Sequence, residues 1–480
     1  MSPLVRLRTL VATWRTAAFE RVLARWSGAD DELRREARAR AALGTGEARA
    51  LLDECVSLRL VDDVDHRAIL AHLADAARDE LCVRRSVPGA LARSHSVELG
   101  GEPISLGDVA HDASRWTERE RLRVVARTVS ERASRWAEGH AEADAAASRV
   151  LARGPKEAEG ERLAIDLEAW LAATDDAVHE ALSRTTHALA LGAARGPAVD
   201  RHATTARALR ASSLDALFGR DGRMTRLGRA FEPMGADAVV AARLRVAVRT
   251  ELALRGAVLP LETPRRVVLG LASEELGLVS ELESAELFGR GLSYARVSPA
   301  LADEHRLAPH APVPAMVGAL FSVFYTAPVF LERRVGLERA AASAVGVCAT
   351  YLWLVRARLD LARARARRVG LSVDSDEAHA LVARCLALPS ALPLGWLLAS
   401  DEITPALEAT ALAQASAPAL FLALRERHDE DFFRNPRTSD TLGGAMARGA
   451  RLSARGWSEE LGATAETHAA AASLFRERLA

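Results

Sequence analysis

Lysine is almost missing from this chain: Lys156 is the only one, so nearly every cation is an arginine. With alanine abundant throughout, that bias reads as the codon usage of a GC-rich genome, and local arginine clusters carry little information. Charge of one sign is missing too. Lys+Arg and Asp+Glu are 64 each, for a formal net charge of 0, so no global field attracts nucleic acid or an anionic membrane surface. Cysteine is scarce and dispersed. Cys55, Cys82, Cys348 and Cys385 form no CxxC pair, which excludes a disulfide framework and a cysteine zinc site and leaves buried free thiols as the expectation.

Long apolar runs are also lacking. No stretch reaches the 18 or more uninterrupted apolar residues that a membrane span needs. The opening MSPLVRLRTLVATWRTAAFERVL has arginines inside every apolar run and no cleavage pattern, so a cytoplasmic location is expected. No GxGxxG opens a helix after a strand, no GxxxxGK[ST] is present, and no GxSxG elbow appears. FGRDGRMTRLGR (218–229) is a glycine-arginine turn and lacks the spacing of a phosphate cradle.

What is present is helix. Apolar residues at 49% and charged residues at 27% describe a globular protein, and 480 residues suffice for about three average domains or one large helical body. Ala, Leu, Arg and Glu dominate, all strong helix formers, and segments such as TERERLRVVARTVSERASRWAEGHAEADAAASRVLA repeat apolar residues at helical spacing. Breaks fall at 85–109, 152–162, 193–202 and 255–266. VVLGLA, Val267 to Ala272, is the best strand candidate, being short and β-branched at its start. The expectation is an all-α, mainly helical fold with at most a small minor β-sheet. The break near 193–202 divides it into an N-terminal helical half, 1–200, and a C-terminal half, 201–480. No repeat of 20–50 residues is visible, which disfavours a solenoid.

One region is more specific. RRVVLGLA is followed by GLVSELESAELFGRGLSYARV, a strand leading into a helix that runs to Gly289 and Gly291. A later stretch, VPAMVGALFSVFY (313–325), has the pattern of a second long helix. From Pro264 to about Leu337 the chain resembles the helical zinc oligopeptidases of the thimet oligopeptidase and oligoendopeptidase F type. Those enzymes carry HExxH on the first helix, often as HEAGHALHFA, and a glutamate ligand in a VTEGxAxLF pattern on the second. GLSYA, Gly291 to Ala295, falls where ALHFA stands, and ALF, Ala319 to Phe321, holds the second register. Weaker echoes lie at VELGGEPISLGDVAHDASRWTERERLRVVAR and at LRERHDEDFFRNPRTSDTLGGAMARG.

The resemblance implies a two-lobed helical body around a channel, and it assigns the positions. Glu286 stands at the first histidine, Leu287 at the general base, Arg290 at the second histidine and Ala315 at the glutamate ligand. A catalytic zinc needs three protein ligands and an open position for water, and the base takes that water's proton. Here all three ligands and the base are replaced, and a guanidinium repels a metal cation. The chain is therefore expected to be a catalytically inactive metallopeptidase homologue without a cofactor, which binds a peptide or protein partner or serves as a scaffold. Candidate cleft residues are Glu286, Arg290, Tyr294, Phe321, Phe324 and Tyr325, although helically spaced aromatics more often fill a core. Two alternatives stay open. One is an active metal-dependent peptidase with a non-standard site, for which ADEHRLAPH offers Asp303, His305 and His310. The other is an unrelated helical structural protein. Glu286 and Arg290, at i and i+4 with the acid first, are oriented for a helical ion pair that fills the place of the metal.

Overall fold

In the computed structural model, the described residues are 1–27, 46–84, 96–99, 102–105, 141–150, 165–190, 212–219, 222–236, 242–249, 256–272, 277–307, 312–387, 395–398 and 404–480. The fold is mainly helical with a small sheet, as the composition requires. The N-terminal helices are α1 (Pro3–Ser27), α2 (Gly46–Ser57) and α3 (Asp63–Arg84). A two-stranded hairpin follows, β1 (Ser96–Leu99) and β2 (Glu102–Ser105). Leu7, Val11, Trp14, Leu52, Cys55 and Leu73 form a core there, which Ala147 and Val150 from the helical segment 141–150 complete.

A larger core begins at α4 (Leu167–Ala190) and continues through α5 (Arg223–Phe231) to the end of the chain. Trp170, Leu171 and Val178 of α4 belong to this core although they precede residue 200, and the proline-glycine break at 193–202 lies outside the described residues. The sheet consists of β3 (Leu244–Arg249), β4 (Gly256–Glu262) and β5 (Arg266–Ala272) in the order β3-β5-β4. β5 is the strand expected from VVLGLA; it runs parallel to β3 and antiparallel to β4.

From β5 the chain enters α6 (Gly277–Arg296), then the single turn α7 (Asp303–Arg306), then α8 (Pro312–Val323). Two glycines on α6 let the helix be gripped from two sides. A Cβ at Gly289 would lie 2.8 Å from the Val317 carbonyl oxygen of α8, and one at Gly291 would lie 2.5 Å from the Leu269 side chain of β5. Leu287 packs onto β4, where only Gly256 leaves it room: a Cβ there would be 2.4 Å from Leu287 Cδ1.

Longer helices that follow among the described residues are α9 (Arg339–Val369), α10 (Asp376–Leu386), α11 (Thr404–His428), α12 (Pro436–Ala447), α13 (Ala454–Leu461) and α14 (Thr467–Leu479). By length and composition alone, α9 and the Ala406–His428 part of α11 are long and apolar enough to cross a membrane, although neither holds 18 uninterrupted apolar residues. In this fold 67% and 78% of their most apolar windows are buried inside the protein, the usual cause of a helix that is apolar nearly all round. Phe321, Phe324, Tyr325 and Phe330 are fully buried, with Phe321 stacked 4.1 Å from Phe231 and Phe324 packed against Phe421 and Phe432. The cleft-wall placement of Phe321, Phe324 and Tyr325 is thereby corrected: they face the interior. Cys55, Cys348 and Cys385 are buried free thiols, and burial pushes the Cys385 thiol up to about 12.

Candidate functional site

Glu286 is the centre of the arrangement. Its side chain is 3% exposed, and Arg290 of the next turn donates to its Oε1 at 2.6 Å. Arg356 of α9 lies 2.9 Å from the other carboxylate oxygen, and Gln414 of α11 donates to that same oxygen at 3.3 Å. Arg290 also reaches Thr410 Oγ1 at 3.5 Å. One buried carboxylate thus gathers groups from α6, α9 and α11.

α8 closes the site from below. The residue that meets Glu286 and Arg290 is Gly318, where a Cβ would be 2.7 Å from the Glu286 carbonyl oxygen and 2.8 Å from Arg290 Cγ. Ala315, one turn earlier on the same helix, is 6% exposed. Helices α6 and α8 are therefore in direct contact, through an interface so close that glycine is required on both sides, at Gly289 and Gly318.

The guanidiniums of Arg290 and Arg356 share the Glu286 carboxylate. Arg290 and Arg356 keep 24% and 34% of their side chains in solvent, so water screens part of their charge. A zinc ion needs electron-pair donors, and of the side chains gathered here only Glu286, Gln414 and Thr410 offer any. The carboxylate's oxygens are both engaged by guanidinium, and Leu287 against β4 cannot act as a base. These residues do not fit a catalytic zinc.

Tyr294 lies one turn beyond Arg290 and is half-buried. Burial raises its hydroxyl pKa, opposed by the positive charge of Arg15 and Arg290. A second buried acid, Glu281, went unnoticed in the sequence. It is fully buried, receives Arg226 at 3.1 Å and the Tyr325 hydroxyl at 3.2 Å, and lies 3.9 Å from Arg223. Burial first, then Glu281, pushes the Tyr325 hydroxyl well above its ordinary value. Its only sequence signal was an acid on the apolar face of α6.

Of Asp303, His305 and His310, the described residues include the first two. Asp303 pairs with Arg306, and His310 lies outside the described residues. His305 instead donates from Nε2 to Asp65 Oδ1 of α3 at 2.7 Å, beside Glu304. Two cavities, of about 860 and 480 Å³, lie elsewhere: one includes Arg333, Arg425 and Glu477, the other Leu361, Arg384 and Glu408. Neither is lined by Glu286, Arg290 or Tyr294.

No family model and no curated protein matches the chain. Solved structures do. The chain is similar to the M32 carboxypeptidase of Deinococcus radiodurans R1, with TM-score 0.60, 15% identity, and 99% of this chain and 98% of that one covered. Trypanosoma cruzi metallocarboxypeptidase 1 gives TM-score 0.57 at 12% identity over 96% of each chain. The Pyrococcus furiosus carboxypeptidase gives TM-score 0.58 at 11% identity, over 100% of this chain and 98% of that one. The chain shares the fold of these carboxypeptidase structures.

Proposed function

We propose that this chain is a metallopeptidase homologue that does not hydrolyse peptides, and that it binds a peptide or protein partner or supports an assembly. The observation that carries the reading is that Glu286, which the sequence resemblance assigns to a metal-ligand position, is buried and held by Arg290 and Arg356. Zinc-assisted hydrolysis requires a metal that lowers the pKa of its water to roughly 7 and a base that takes the proton. Arginine supplies neither, and Leu287 in the base position has no proton acceptor. Losing one ligand leaves room for compensation; replacing every ligand histidine and the base does not. The fold, retained over the full length, then serves recognition, with Arg290 and Tyr294 as its partly exposed groups beside the buried acid.

The test is peptide hydrolysis by purified protein at saturating zinc, with and without chelator. No chelator-sensitive cleavage is expected. Cleavage that follows the protein through purification would overturn the reading. A non-standard active site is the second possibility, because Asp65, Glu304 and His305 bring potential metal ligands together. That group lies on α3 and α7 and shares no residue with the Glu286 cluster, so any activity from it would be lost in His305→Ala and kept in Glu286→Gln.

A further inference from the structure

We infer that Asp65, Glu304 and His305 form a structural divalent-cation site of the zinc class, with Arg8 as its built-in competitor. The three offer ligand atoms all within 4.8 Å of one another, one from α3 and two from α7. Glu304 is 0% exposed and His305 2%, so this is no solvated acidic patch. Arg8 reaches in from α1 and uses the carboxylates unevenly. Its Nε donates to Glu304 Oε1 at 2.7 Å and its Nη2 to Asp65 Oδ2 at 3.2 Å. Glu304 Oε2 is left buried without a hydrogen-bond partner among the described residues. An unpaired carboxylate oxygen in the interior is costly, and a cation is what would satisfy it.

The charges favour exchange. Asp65 and Glu304 supply two negative charges and Arg8 returns one, so a negative charge remains when His305 is neutral. Arg8 keeps 30% of its side chain in solvent and can withdraw along its own helix surface, whereas Glu304 and His305 have no way out. Two carboxylates and one imidazole suit zinc better than calcium or magnesium. His72 donates from Nε2 to the Glu304 carbonyl oxygen at 3.2 Å and holds the backbone of α7 in place. A bound ion would clamp the N-terminal helices to the turn between α6 and α8. It would act on the fit of the two cores, not on bond cleavage.

The experiment titrates zinc chloride into the chelator-stripped full chain, followed by calorimetry and thermal unfolding. One zinc per chain and a raised melting temperature are expected. His305→Gln should abolish both effects, and Glu286→Gln should leave both unchanged. Arg8→Gln separates a cation site from a plain ion-pair latch. For a site, removing the competitor tightens zinc binding by about tenfold or more and zinc restores the lost stability. For a latch, the variant is destabilised and zinc restores nothing. Absence of binding in both parent and Arg8→Gln, or binding that survives His305→Gln, overturns the proposal.

Discussion

Gly318 rests directly on Glu286, with no room between them for a methyl group: a Cβ at 318 would sit 2.7 Å from the Glu286 carbonyl oxygen and 2.9 Å from its Cγ. Backbone cannot yield as a flexible side chain does, so the helices themselves would have to part. Gly318→Ala is expected to destabilise the protein by about 1–3 kcal/mol, the usual cost of overpacking a close-packed interior. Denaturant unfolding at equilibrium checks it. A neutral or stabilising result, as helix propensity alone predicts for alanine, would mean that α6 and α8 are not in contact here.

The Glu286–Arg290 pair lies between the two limits for an ion pair. A fully exposed pair contributes at most about 0.5 kcal/mol, whereas breaking a fully buried one costs about 3–5 kcal/mol. The acid is buried and the base one-quarter exposed, which makes the two substitutions unequal. Glu286→Gln removes the carboxylate that Arg290 and Arg356 share and should cost about 2 kcal/mol. Arg290→Met leaves Glu286 with Arg356 and Gln414 and should cost less. A double-mutant cycle should return a coupling of about 1 kcal/mol or more. Equal costs with zero coupling would mean that the pair is incidental.

How much of this was open to sequence reasoning depends on distance along the chain. β5, α6 and the Glu286–Arg290 pair follow from patterns within about twenty residues, where β-branching, helical period and i,i+4 spacing act directly. Arg356 and Gln414 were not foreseeable, because nothing local links them to Glu286. The same holds for Asp65, which meets His305 across 240 positions. The aromatic run 321–330 gave the correct period, but period alone does not say which side of the helix meets solvent. Its interior placement follows from Phe231, Phe421 and Phe432 arriving from other elements. Gly318 carried no signal at all, since a glycine demanded by a neighbouring backbone looks in sequence like any other glycine.

Arg358 explains why α4 joins the C-terminal core. Its guanidinium is fully buried, and it donates to the Leu171 carbonyl oxygen at 3.2 Å, Thr174 Oγ1 at 2.8 Å, Asp175 Oδ1 at 2.5 Å and the Arg384 carbonyl oxygen at 2.8 Å. Burial raises the Asp175 carboxyl, but hydrogen bonds from Arg384 and Arg358 outweigh it and hold the pKa below its ordinary value. Arg358→Met should therefore cost about 3 kcal/mol, because Leu171, Thr174 and Asp175 of α4 each lose a donor supplied from the interior. Limited proteolysis should also show α4 released early in the variant. Retained protection of α4 with unchanged stability would place its attachment elsewhere.

His72 makes a prediction about pH. It is fully buried between Trp14, whose ring stands edge-on at 6.4 Å, and the Glu304 carbonyl oxygen, which its Nε2–H contacts at 3.2 Å. That bond fixes the neutral tautomer, with the proton on Nε2. Burial, reinforced by the charge of Arg15, lowers the imidazole pKa from 6.5 to about 3. In the folded protein the ring stays neutral where the unfolded chain takes up a proton. The unfolded state therefore binds more protons between the two values, and stability must fall as pH falls. The contribution is fully present above pH 6.5 and is lost on the way down to about 3. Its slope is about 1.4 kcal/mol per pH unit. The control is His72→Gln, which keeps a donor for the Glu304 carbonyl and removes the titration. Unfolding free energies measured from about pH 7.5 to 5 should fall more steeply in the parent than in the variant, with the gap opening below about pH 6.5. Parallel profiles would show that His72 is accessible to protons in the folded state, and that the N-terminal core is looser than its packing implies.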